Sequence, residues 1–152
     1  MRAFGAWVGA ELPTEAQWEF AARSRGQDIT YPWGDQAPDC MFADWDDTND
    51  NTGCNGAGTS PVCSFPNGDS AQGLCDLAGN LWNWVLDEYA SDYNGAPVDG
   101  SPRCGLEDCF GGANRVFRGG AWVHSADYLR AANRAHLSPS EQNAYIGARL
   151  AR

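Results

Sequence analysis

Lysine is missing altogether. All ten basic residues are arginine, they stand against twenty Asp and Glu, and the chain carries a formal charge of −10. A protein that tracks a phosphate backbone needs a basic footprint, so nucleic acid is excluded as a partner. Long apolar runs are missing too. No stretch approaches the roughly 18 residues that a membrane-spanning helix requires, and no leader pattern opens the chain, so no membrane span is expected and any export signal lies outside this sequence. Histidine is scarce, at two residues, and no Cys-x-x-Cys pair occurs, which leaves a zinc site poorly supplied. Neither a tandem repeat nor a low-complexity tract is present.

What the chain has instead is 18 glycines, 8 prolines, 7 Trp, 5 Tyr and 6 Phe in 152 residues. That composition describes one loop-rich domain, long enough to bury most of its apolar surface. Six cysteines, Cys40, Cys54, Cys63, Cys75, Cys104 and Cys109, all fall in Gly/Pro/Asn-rich loop sequence. Disulfides are the better reading, free buried cysteines the competing one, and an oxidising compartment follows, extracellular or periplasmic. Six cysteines allow fifteen pairings and sequence does not choose among them. Pairing in chain order, 40 with 54, 63 with 75 and 104 with 109, is the working expectation. Six acids, Asp35, Asp39, Asp44, Asp46, Asp47 and Asp50, crowd one loop, which is either simply solvated or gathers a divalent cation.

Taken in order, Ala3, Phe4, Trp7 and Val8 have helical spacing with Gly9 placed as a cap, so Met1 sits inside a helix that has lost its beginning. Thr14 followed by Gln17 is a capping box, and a helix is expected to about Ser24, with Trp18, Ala21 and Ala22 buried and Glu19 paired to Arg23. Tyr31-Pro32-Trp33-Gly34 is a rigid aromatic turn that either plugs the core, the commoner case, or offers an exposed aromatic pair to a sugar or peptide. Residues 39–58 read as a long loop, 61–66 as a short extended piece, and 91–114 as a second loop. Trp82 and Trp84 share one side of an extended segment, which Val85 to Tyr89 could continue as a strand, while Asp76, Asn80 and Asn83 set oxygens about the turn at Gly79. Asn114 to Trp122 reads as a strand broken at Gly119-Gly120 by a close backbone approach or a bulge, 124–134 as helix-like or irregular, and 146–150 as a terminal strand. The whole is an α+β arrangement.

Five of these pieces, Leu12-Pro13-Thr14-Glu15-Ala16-Gln17-Trp18-Glu19, Tyr31-Pro32-Trp33-Gly34, Gly73-Leu74-Cys75-Asp76-Leu77-Ala78-Gly79-Asn80-Leu81-Trp82, Arg118-Gly119-Gly120-Ala121-Trp122 and Ile146-Gly147-Ala148-Arg149, stand in an order that resembles the formylglycine-generating enzyme, or sulfatase-modifying factor, domain family. The resemblance covers nearly the whole chain. It implies a C-type-lectin-like fold of the formylglycine-generating subtype, loop-rich with a small twisted sheet, over residues 1–152. Members are usually longer, so the domain is expected to be truncated at its N-terminus and completed by another segment or a partner chain.

Enzymes of this family hold copper(I) with two cysteines and use dioxygen to convert a substrate cysteine to formylglycine. By the family spacing those cysteines fall here on His124 and Leu129. Soft copper(I) prefers a dithiolate that this pair cannot supply, so copper is argued against and no catalytic residue is assigned. The resemblance also implies calcium, held by Asp76, the carbonyls of Gly79 and Leu81, and Asn83, which stands where the family usually has Glu. A second calcium site would fall at Asp44 and the Trp45 carbonyl. Related proteins of the same fold lack oxidase chemistry and vary the segment after the Gly-Gly-aromatic motif. A protein or glycan ligand is therefore expected at His124, Asp127, Tyr128, His136, Asn143 and Tyr145, whose mixed chemistry suits an adaptable surface. Arg130 and Arg134 are expected to pair with the acidic loop. The leading expectation is a non-catalytic, calcium-stabilised binding module, variable in sequence at that surface or not. The alternative is a copper-dependent formylglycine-generating oxidase, or another enzyme of the superfamily.

Overall fold

In the computed structural model, which describes residues 2–56, 58–105, 109 and 114–152, helix α1 spans Arg2–Val8 and turns out through Gly9 at φ 66°. Met1 and the parts of the two long loops at 57, 106–108 and 110–113 lie outside the described residues. Phe4 and Trp7, one turn apart on α1, are exposed. The second helix is set by its cap. The Thr14 hydroxyl accepts the Gln17 N–H at 3.1 Å and the Gln17 side chain accepts the Thr14 N–H at 2.9 Å, and α2 follows over Glu15–Ala22. Such a cap contributes about 1 kcal/mol. Trp18 and Ala22 are buried and Glu19 pairs with Arg23 at 2.7 Å, as the spacing predicts.

Four strands form one mixed sheet: β1 Trp82–Glu88, β2 Arg115–Arg118, β3 Arg134–Leu137 and β4 Ile146–Ala148, in the order β3-β2-β1-β4. β1 is antiparallel to β2 and parallel to β4, and β2 is antiparallel to β3. Register sorts the side chains. Trp84 faces Phe117 and Asn83 faces Arg118, so alternate residues of β1 and β2 look to opposite sides. On one side Trp82 and Trp84 meet the Phe117 ring edge-on at 4.9 and 5.2 Å. On the other, Val85 and Val116 pack under Trp18 and Ala22 of α2.

The α2 side of the sheet also carries a buried ion network. Arg118, 0% exposed, pairs with Glu15 at 3.4 Å and with Glu19, donates to the Asn133 carbonyl, and lies 5.2 Å from the Trp18 ring centroid. Arg134 holds Glu15 through two hydrogen bonds of 2.6 and 2.9 Å. The Asp87 carboxylate accepts the N–H of Glu15 at 2.6 Å, placing an acid at the positive end of the helix, although burial pushes its pKa up.

Several expectations need adjustment. Strand β3 lies where the sequence suggests helix-like or irregular chain followed by a variable segment, because four residues at a sheet edge are too few to show a period. Residues 61–66 contain a turn, with Cys63 at φ 60°, and end in a 3-10 turn at Pro66–Gly68. Arg134 pairs with Glu15 on α2, not with the acidic loop. The Tyr31 to Gly34 turn does plug the core: Tyr31 stacks on Trp33 and Trp33 on Phe42, each at 5.1 Å, over Ala43, Ala78 and Leu129. All six cysteines are bridged in chain order, Cys40–Cys54, Cys63–Cys75 and Cys104–Cys109.

Candidate functional site

The turn after β2 builds the site. Gly119 and Gly120 have φ of 100° and 76°, and a Cβ on Gly119 would come within 2.7 Å of the Leu77 carbonyl, so only glycine fits the reversal. Beyond it the Trp122 N–H donates to Asn80 O, and Asp46 N–H donates to His124 O, both at 3.0 Å. A 3-10 turn at Ala126–Leu129 drops Leu129 into the core and leaves Tyr128 41% exposed.

These constraints set the His124 ring 4.9 Å from Tyr128, 5.4 Å from Tyr145 and 5.6 Å from Trp82. Trp82 Nε1–H donates to His124 Nδ1 at 3.3 Å. An indole nitrogen only donates, so His124 is the neutral tautomer with its proton on Nε2. Burial lowers its pKa below the ordinary 6.5, with Asp46 opposing. The unfolded chain therefore protonates first on acidification: the stability contributed by neutral His124 is intact above that ordinary value and is lost as pH falls from it toward the folded pKa. Tm is expected to fall as pH is lowered through and below about 6.5, and to fall less in His124→Gln, whose amide oxygen still accepts from Trp82. An undiminished drop in that variant would assign the acid sensitivity to another group.

Three of the six expected ligand-binding residues, His124, Tyr128 and Tyr145, thus come together around Trp82. His136 does not join them: it pairs in register with Val116, stacks on Tyr89 at 3.7 Å and bonds Asn114 at 3.1 Å, on the α2 side of the sheet. Asp127 is exposed beside Tyr128, and the Asn143 side-chain oxygen is buried with no hydrogen-bond partner among the described residues. A separate cleft of about 930 Å³, lined by α1, residues 100–102 and the C-terminus, contains none of the six. Sequence reasoning missed Trp82 as the anchor of His124, since residues 42 positions apart carry no local signal of their hydrogen bond.

The residues expected to hold metals are largely engaged by other protein groups. Asp76 accepts the Cys63 N–H at 2.7 Å, and the Asn83 amide bridges Trp18 and Leu81 O. Asp44, 1% exposed, accepts from the Cys54 N–H at 2.9 Å and the Ser60 hydroxyl at 2.5 Å, while the Trp45 carbonyl lies 3.4 Å from the Cys54 sulfur. Asp46 takes the N–H groups of Asp50 and Asn51, both at 3.1 Å, so part of the acidic loop is held by its own backbone. Asp47 lies beside the Cys40–Cys54 bridge and Asp76 beside Cys63–Cys75, but disulfide sulfurs are not thiolate donors. The donor set does not fit copper(I): Leu129 is a buried hydrocarbon, His124 Nδ1 is occupied, and no described cysteine is free.

The loop-rich mixed sheet is the C-type-lectin-like fold of the formylglycine-generating subtype, shared with PvdO from Pseudomonas aeruginosa (TM-score 0.80, 30% identity, 97% of this chain and 56% of that one). It is shared also with Treponema denticola variable protein 1 (TM-score 0.69, 30% identity, 93% and 46%). Residues 1–152 match the sulfatase-modifying factor enzyme 1-like domain, and the chain belongs to that family. Among curated proteins it is similar to hercynine oxygenase of Mycolicibacterium thermoresistibile, 34% identical over 98% of this chain and 33% of that protein. It is similar also to formylglycine-generating enzyme of Thermomonospora curvata (35%, 98% and 51%) and to inactive C-alpha-formylglycine-generating enzyme 2 of Bos taurus (36%, 83% and 36%). The chain spans between 33% and 51% of the length of these relatives.

Proposed function

We propose that this chain is a non-catalytic, extracytoplasmic module that binds a protein or glycan through the surface formed by residues 123–145. The observation that carries the reading is the pairing of all six cysteines in disulfides, which leaves no thiol for copper(I), beside an aromatic cluster of His124, Tyr128 and Tyr145 with Tyr128 open to solvent. Three bridges favour an oxidising compartment. A relative named inactive and a neighbour named a variable protein support a binding role. The enzyme alternative draws on relatives named hercynine oxygenase and formylglycine-generating enzyme.

Screening on glycan and peptide arrays tests the proposal. Tyr128→Ala and Tyr145→Ala are expected to keep the fold and to weaken binding about five- to thirty-fold each, the ~1–2 kcal/mol of an aromatic anchor. Copper-dependent conversion of a cysteine peptide to the formylglycine aldehyde, read by mass, would overturn it.

A further inference from the structure

We infer that Asn83 locks the turn from Gly79 by hydrogen bonding where the family resemblance places a divalent cation, so that this chain's turn is metal-independent. Trp18 fixes the geometry. Its indole is 1% exposed, held by the capped helix α2, and Nε1–H meets Asn83 at 3.1 Å. An indole N–H can only donate, so the Asn83 atom facing it is the amide oxygen, and the amide NH₂ must face the other way. There it donates to the Leu81 carbonyl at 2.9 Å. Leu81 O is one of the oxygens mapped as a cation ligand, and a hydrogen-bond donor now points at it.

Flipping the amide does not restore a cation site. It would set two N–H groups against each other at the buried Trp18 contact and two oxygens against each other at Leu81. A carboxylate differs in one atom: it would keep an oxygen toward Trp18 and place a second oxygen against Leu81 O. That arrangement is repulsive until a hard cation sits between the oxygens. Asp76, whose carboxylate already takes the Cys63 N–H, supplies a nearby mapped acid but does not change which group faces Leu81.

Melting curves in millimolar calcium and in EDTA test the inference. Wild-type protein is expected to melt at the same temperature in both. Asn83→Asp, isosteric with the native residue, is expected to melt lower in EDTA and to regain about 3 °C or more with calcium. Wild-type stabilisation by calcium that is abolished in Asn83→Ala would overturn the inference. Should Asn83→Asp fail to fold, calorimetric titration of the wild type with calcium decides: no saturable heat supports it, and saturable binding lost in Asp76→Ala overturns it.

Discussion

Arg118→Ala is expected to remove a large part of the protein's stability, about 3–5 kcal/mol. The guanidinium has no solvent exposure, pairs with Glu15 and Glu19 of α2, donates to the Asn133 carbonyl, and packs on Trp18. Truncating one partner of a buried ion network costs about 3–5 kcal/mol, because the groups left behind stay desolvated without their charge partner. Domains of this size have only about 5–15 kcal/mol in total. Glu19 retains Arg23 and Glu15 retains Arg134, so the loss falls mainly on the seam between α2 and the sheet. Circular dichroism and a urea titration of Arg118→Ala and Arg118→Lys measure it. An unfolding free energy within about 1 kcal/mol of wild type for the alanine variant would show the network to be dispensable.

Reduction of the three disulfides is expected to have an effect at least as large. The bridges span separations of 14, 12 and 5 residues. In the chain-entropy model they restrict the unfolded chain by about 3, 3 and 2 kcal/mol. At roughly 2–4 °C per kcal/mol for a domain of this length, Tm should fall by about 16–32 °C. Thiol titration of the denatured, unreduced protein should detect almost no sulfhydryl. Six reactive thiols in protein made in an oxidising compartment would contradict both the bridges and the localisation proposed from them.

Where a structural feature rests on residues close in sequence, it was legible. Thr14 and Gln17 announce the cap of α2, Glu19 and Arg23 their ion pair, and Trp82 and Trp84 their shared side of β1. The Gly119-Gly120 break was visible as a demand for close approach, but not what approaches, which is the Leu77 carbonyl and the backbone of Tyr128. Of the expected ligand surface, His124, Tyr128 and Tyr145 converge, whereas His136 was grouped with them by position in the chain and stands across the sheet on Tyr89.

The sequence by itself determined the helix boundaries, the supply of oxygen donors without free thiols at the family's copper positions, and the ordered motifs that define the family. Those are properties of residue identity and short spacing. Tertiary structure decided which partners each polar group meets: Arg134 with Glu15, Trp82 with His124, and Trp18 with Asn83. These pairs lie 119, 42 and 65 residues apart, and nothing local distinguishes their members from ordinary core or surface residues. Their meeting depends on strand register, where a shift of one residue carries a side chain to the opposite face of the sheet. For Asn83 that register, together with the donor-only chemistry of the Trp18 indole, directs the NH₂ and not the oxygen of the amide at Leu81.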